Sequence, residues 1–232
     1  MIKYREFGFG VPTGIGINDE KSGIVPTREW KRMRFRKEWV DGETLSVAIG
    51  QSFNLVTPLQ LAMAYATMAN GGVRYKAQIL DRIVDAAGGV VEKTRPEELG
   101  RLSFSSEHLG AVRKGLWAVV NSPGGTAYWA VRIPELEISG KTGTAQVIRQ
   151  DENTSKRALE MYKDHALFAA YAPTGDPQLA IAVIVEHGEH GSTGAGPVAK
   201  AAFQYWFIDR LSHQEAMQEP EEDQPHARVE GE

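Results

Sequence analysis

Apolar residues recur at helical spacing over 57–70, where Leu61, Ala64, Tyr65 and Met68 share one face. Thr57 supplies an N-cap, Pro58 the first helical position and Gln60 the third residue of a capping box, while Gly71 and Gly72 end the segment. A second helix is predicted from Ser105 or Ser106 to about Asn121, with Leu109, Val112, Leu116 and Val119 inward. A third opens at Pro197 and runs to about Leu211, with Ala201, Ala202, Tyr205 and Trp206 on its apolar side. Shorter helical signals lie at Lys3 to Phe7, stopped by Gly8 and Gly10, and after Thr27. Residues 78–93 read as a β-hairpin turning between Asp85 and Gly89. Three further strands are predicted at Thr144 to Arg149, His165 to Tyr171 and Leu179 to Glu186, the last two joined by the turn Pro173 to Pro177. The pattern implies an α/β fold with an antiparallel sheet and packed helices, unlike a parallel nucleotide-binding sheet.

The 232 residues suffice for one domain with a buried core. With 42% hydrophobic and 24% charged residues, the chain is too apolar for wholesale disorder. The 26 basic against 30 acidic side chains argue against a dedicated nucleic-acid binder. Charge is unevenly placed: from His213 onward there are seven acids and one base, so the tail carries -6 and residues 1–212 carry +2, for a net -4. We therefore divide the chain into a domain at 1–212 and a disordered acidic tail at 213–232, with an interaction tail as the alternative. No apolar run approaches membrane-spanning length, and the first residues lack the apolar stretch of a signal peptide. The absence of cysteine excludes thiol catalysis and cysteine-based zinc sites. Between Arg28 and Lys37 six bases interleave with Trp30, Met33 and Phe35, read as a solvated strip with inward aromatics and, as the alternative, a site for nucleic acid or anionic lipid.

Chemistry concentrates in Ser139-Gly140-Lys141-Thr142-Gly143-Thr144. A phosphate-loop reading needs a glycine where Glu135 stands, and a helix where Thr144 to Ile148 favour a strand. Lys-Thr-Gly at the start of a strand is instead an element of penicillin-recognising enzymes. There the ammonium of Lys141 and the hydroxyl of Thr142 would hold a terminal carboxylate through charge-assisted hydrogen bonds. Gly143 would keep the strand face bare for an extended ligand, and the Thr144 amide would form half of an oxyanion hole.

Further segments occur in order along the chain: Gly8-Phe9-Gly10 to Ile15, Pro26-Thr27 with Trp30-Lys31, Trp39 with Gly42 and Thr44, Ser46 to Gln51, Thr57 to Ala62, Ser122 to Ala127, and Asp164-His165-Ala166 with Phe168. Together they resemble the C-terminal part of class B penicillin-binding proteins, especially the elongation-type penicillin-binding protein 2 group, from about Glu6 to Leu211. The resemblance implies a penicillin-binding protein transpeptidase (β-lactamase-like) fold. It also implies a serine D,D-transpeptidase that cross-links peptidoglycan stem peptides ending in D-Ala-D-Ala and is acylated by β-lactams. No cofactor is implied. The parent protein would face the periplasm or cell exterior from the cytoplasmic membrane and pair with a membrane glycosyltransferase.

None of the eleven serines has lysine three positions later, so the S-x-x-K nucleophile motif is absent. Ser52-Phe53-Asn54 spells S-x-N but stands far from where the family carries that motif. Ser52 also occupies a position where the family usually has glycine, and Leu167 one where tryptophan is common. The expectation is therefore an N-terminally truncated fold, inactive alone, with a newly opened sheet edge, uncovered apolar surface and a tendency to self-associate. A non-catalytic peptide-binding or transpeptidase-assisting module is the alternative. Glu186-His187-Gly188-Glu189-His190 is read as a turn after a strand in preference to a metal site, and His165 as a hydrogen-bonded structural residue.

Overall fold

The computed structural model describes residues 2–147 and 163–210. The tail at 213–232 and the far end of the strand expected at 144–149 lie outside the described residues.

Helix α4 (Pro58–Ala69) forms for the reason its sequence suggests. Thr57 Oγ1 accepts from the Gln60 amide at 3.1 Å, and Gln60 Oε1 accepts from the Thr57 amide at 3.0 Å. The Gln60 side chain, 1% exposed, also donates to the carbonyls of Val11 and Ser22, each at 2.8 Å. One buried amide thereby ties two upstream loops to the helix with its polar atoms satisfied. Before it lie α1 (Ile2–Glu6), α2 (Arg28–Phe35) and α3 (Asp41–Ala48). The strand pairs β1 (Val73–Tyr75) with β4 (Glu98–Arg101), and β2 (Arg82–Val84) with β3 (Val90–Lys93), follow it. The second pair is the expected hairpin; the first, and α3, escaped the sequence reading.

Helix α5 (Ser106–Asn121) is capped by Ser105, whose Oγ accepts from the His108 amide at 3.2 Å. Its buried residues are Leu116 and Val120, whereas Val112, expected inward, is exposed. The short helix α6 (Tyr128–Val131) leads into a three-stranded antiparallel sheet, β5 (Ser139–Ala145), β6 (His165–Ala172) and β7 (Leu179–Val185), in that spatial order. The first strand thus starts five residues earlier than its β-propensity suggests, so Lys141, Thr142 and Gly143 lie within it. Thr142 stands opposite Phe168, and Ala166 opposite Val185.

Alternation along β6 divides the core in two. Ala166, Phe168, Ala170 and Ala172 pack with Ile138, Val120, Val131, Ala199 and Phe203 on one face. Ala169 and Tyr171 pack with Tyr65, Ala69 and Leu116 on the other. Helix α7 (Gly196–Gln204) covers the first face and α4 the second. Its inward face is Ala199 and Phe203, not the expected Ala201, Ala202, Tyr205 and Trp206, which are exposed. The buried positions are spaced by four, and a π-helical turn at Tyr205–Asp209 shifts the later residues off that line.

Candidate active site

Strand β5 borders the sheet, and three side-chain donors identify which of its backbone groups face outward. Asn121 Nδ2 donates to the carbonyl of Ile138, the residue just before the strand, at 2.8 Å, Lys141 Nζ to the Thr142 carbonyl at 3.0 Å, and Gln51 Nε2 to the Thr144 carbonyl at 3.1 Å. Alternate residues of an antiparallel strand turn both N–H and C=O to the same side. Gly143 therefore pairs inward with Leu167, while Thr142 and Thr144 turn their amides and carbonyls toward the outer edge.

Lys141 is exposed, and its Nζ also lies 3.2 Å from Thr142 Oγ1. No carboxylate among the described residues pairs with it. Thr126 Oγ1 lies 3.4 Å from Thr142 Oγ1. It is brought there by the turn after α5, where Gly125 sits so tightly that a Cβ would fall 2.3 Å from the Val119 carbonyl oxygen. An ammonium and two hydroxyls thus converge at one station of the edge, a donor set suited to a carboxylate. Behind this station a second close approach fixes the strand. A Cβ on Gly191 would lie 2.4 Å from the Leu167 carbonyl oxygen and 2.7 Å from that of Gly143. The π-helical turn Gly191–Ala195 therefore rests directly on the β5–β6 backbone.

Gln51 reaches the edge from the turn that follows α3. Gly50 and Ser52 flank it with φ of 82° and 66°. Asn54 Nδ2 closes the turn by donating to the carbonyls of Val47 at 3.0 Å and Gln51 at 3.1 Å. Ser52 and Asn54 thus serve the turn, and Ser52 keeps the left-handed conformation that glycine adopts without penalty. Gln51 and Thr126 both belong to segments that carry the resemblance, but no local pattern links either to Lys141-Thr142-Gly143-Thr144.

His165 stands opposite Ala145, at the far end of β5, and its Nδ1 accepts from the His187 amide at 3.0 Å. His187 Nδ1 lies 2.9 Å from the Lys163 carbonyl. His187 and Glu189, with φ of 58° and 61°, make the segment after β7 a tight turn. In the basic segment, Trp30, Phe35 and Phe53 pack ring against ring at 5.2–5.6 Å, whereas Met33 points outward.

Comparison with known proteins places this chain in a family. Residues 3–204 match the model of the penicillin binding protein transpeptidase domain. Peptidoglycan D,D-transpeptidase MrdA of Haemophilus influenzae is 36% identical over 222 residues, covering 93% of this chain and 34% of that protein. The MrdA of Acinetobacter baumannii is 40% identical over 211 residues, covering 89% and 30%. The chain spans about a third of the length of these relatives. Among solved structures, Pseudomonas aeruginosa PBP2 in complex with WCK 5153 superposes with a TM-score of 0.70 at 34% identity, over 89% of this chain and 42% of that one. Helicobacter pylori PBP2 in complex with MreC gives 0.71 at 33%, over 90% and 35%.

Proposed function

The chain belongs to the penicillin-binding protein transpeptidase domain family, and from that membership we propose that it forms the acyl-donor edge of a peptidoglycan D,D-transpeptidase of the penicillin-binding protein 2 type. Lys141 and Thr142 bind the terminal carboxylate of a stem peptide ending in D-Ala-D-Ala, or the carboxylate of a β-lactam. Gly143 leaves room for the ligand's backbone, and the outward Thr144 amide polarises the carbonyl under attack. The observation that carries this reading is the β5 edge, which no further strand covers among the described residues, with an exposed lysine unpaired by any described carboxylate beside the outward backbone of Thr142 and Thr144.

Acyl transfer also requires a nucleophilic serine and its base. No serine of this sequence has the S-x-x-K context, so in this proposal those groups come from polypeptide outside the sequence. The chain itself contributes binding and half of the oxyanion pocket. The whole protein would work on the outer face of the cytoplasmic membrane with a glycosyltransferase partner. The structure of H. pylori PBP2 in complex with MreC supports a second partner, of the MreC kind, for the whole protein.

Isothermal titration with a D-Ala-D-Ala peptide, run beside labelling with a fluorescent β-lactam, tests the proposal. Reversible peptide binding that falls at least tenfold in Lys141→Ala, without covalent capture of the β-lactam, is expected. Covalent capture by the chain alone, or binding indifferent to Lys141, would overturn it.

A further inference from the structure

The outward carbonyls of β5 described above are covered by the protein's own donors, and the three covers differ in kind. Asn121 covers Ile138 from α5, where that residue is fully buried. Lys141 covers Thr142 from the neighbouring position in the same strand. Gln51 comes from the turn after α3, 93 residues away in sequence, to a position where Thr144 and Gln51 are both accessible.

An extended ligand added alongside β5 forms a close pair with each outward residue, taking both its N–H and its C=O. At Thr144 that carbonyl already accepts from a side-chain amide. We propose that Gln51 is a displaceable cap on the acyl-donor edge. It closes Thr144 while the edge is empty and yields to the backbone amide of an incoming peptide.

The exchange substitutes one amide donor for another at the same oxygen, so no polar group on the strand is left bare at either end of the step. A ligand lacking an N–H at that station cannot make the exchange and leaves an acceptor uncovered once Gln51 is pushed aside. The cap thus selects for an amide-bearing acyl donor. The turn that carries it is held independently by Asn54, so the Gln51 side chain can swing away without unravelling the turn.

The inference rests on β5 being the acyl-donor edge, and the test separates the two. The full chain, Gln51→Ala and Gln51→Asn, whose amide is one methylene too short to span the gap, are titrated with a D-Ala-D-Ala peptide. Melting midpoints are recorded in parallel. Both variants are expected to bind three- to tenfold more tightly than the parent with little change in midpoint, a gain that mere structural damage does not produce. Equal or weaker binding by both variants, with the parent binding, would overturn the cap and leave the edge assignment standing. If parent and variants all fail to bind, the edge assignment falls and the cap with it.

Discussion

Lys31 and Glu43 form an ion pair at 2.6 Å with side-chain exposures of 8% and 18%. The same ammonium donates to the Glu38 carbonyl at 2.6 Å, and the carboxylate accepts from the Val40 amide at 2.9 Å at the start of α3. A lysine in the middle of a basic strip is thereby removed from solvent to fasten α2 to α3. Lys31→Met strands a partly buried carboxylate, and should lower the melting midpoint by roughly 5 °C. Adding Glu43→Gln should recover part of the loss, measurable as a double-mutant cycle by calorimetry.

Ser52 holds φ of 66° in the turn that presents Gln51. A left-handed non-glycine residue costs about 1–2 kcal/mol, against about 0.5–1 kcal/mol of extra chain entropy lost by glycine on folding. Ser52→Gly should therefore stabilise the domain by about 0.5–1 kcal/mol, read from the urea midpoint. A lower midpoint would show that the hydroxyl serves the turn in its own right.

Glu20 accepts from the Thr13 hydroxyl at 2.6 Å, the Thr13 amide at 2.7 Å and the Gly14 amide at 3.2 Å. These bonds, the Thr13 hydroxyl foremost, hold its pKa below the ordinary 4.5 against a smaller opposing effect of burial. A carboxyl depressed in the folded state stabilises above its unfolded pKa, and that contribution disappears as pH falls through the folded value. Acid titration of stability should steepen below about pH 4.5, and Glu20→Gln should lower stability at pH 7–8 while flattening that acid limb.

Gly191 has no room for a side chain, because the obstructing atoms are backbone oxygens and nitrogen of Leu167 and Gly143. Gly191→Ala should cost about 1–3 kcal/mol by forcing the π-helical turn off the sheet. Amide exchange should rise first at Gly143 and Leu167. Unchanged exchange there would mean the turn can retreat without disturbing β5.

The elements with strong local signals were legible from sequence: α4 with its capping box, α5 with its serine cap, and the apolar strands β6 and β7. The opening of β5 was not, because Ser139-Gly140-Lys141-Thr142-Gly143 has little β-propensity, and pairing with the buried β6 makes it a strand. Helix α3 was hidden by Gly42, Thr44 and Ser46, which are weak helix formers, and by a cap at Val40 that offers no side-chain oxygen. At the candidate site the lysine, threonines and glycine could be read directly from the chain. The Gln51–Thr144 and Thr126–Thr142 contacts could not, since each joins separate elements and carries no periodicity.

The two borders of the sheet differ. Along β5 and the residue before it, donors from Asn121, Lys141 and Gln51 occupy outward carbonyls. Strand β7 pairs only with β6 among the described residues, and Ile184 on it is 43% exposed. If copies join, they should do so through β7, and Ile184→Lys should shift sedimentation toward the single chain.

That asymmetry gives the sheet a direction of growth. Polypeptide accreting at the β7 border would lengthen the sheet away from the lysine, so crowding or oligomerisation on that side would leave the opposite margin clear for a passing substrate.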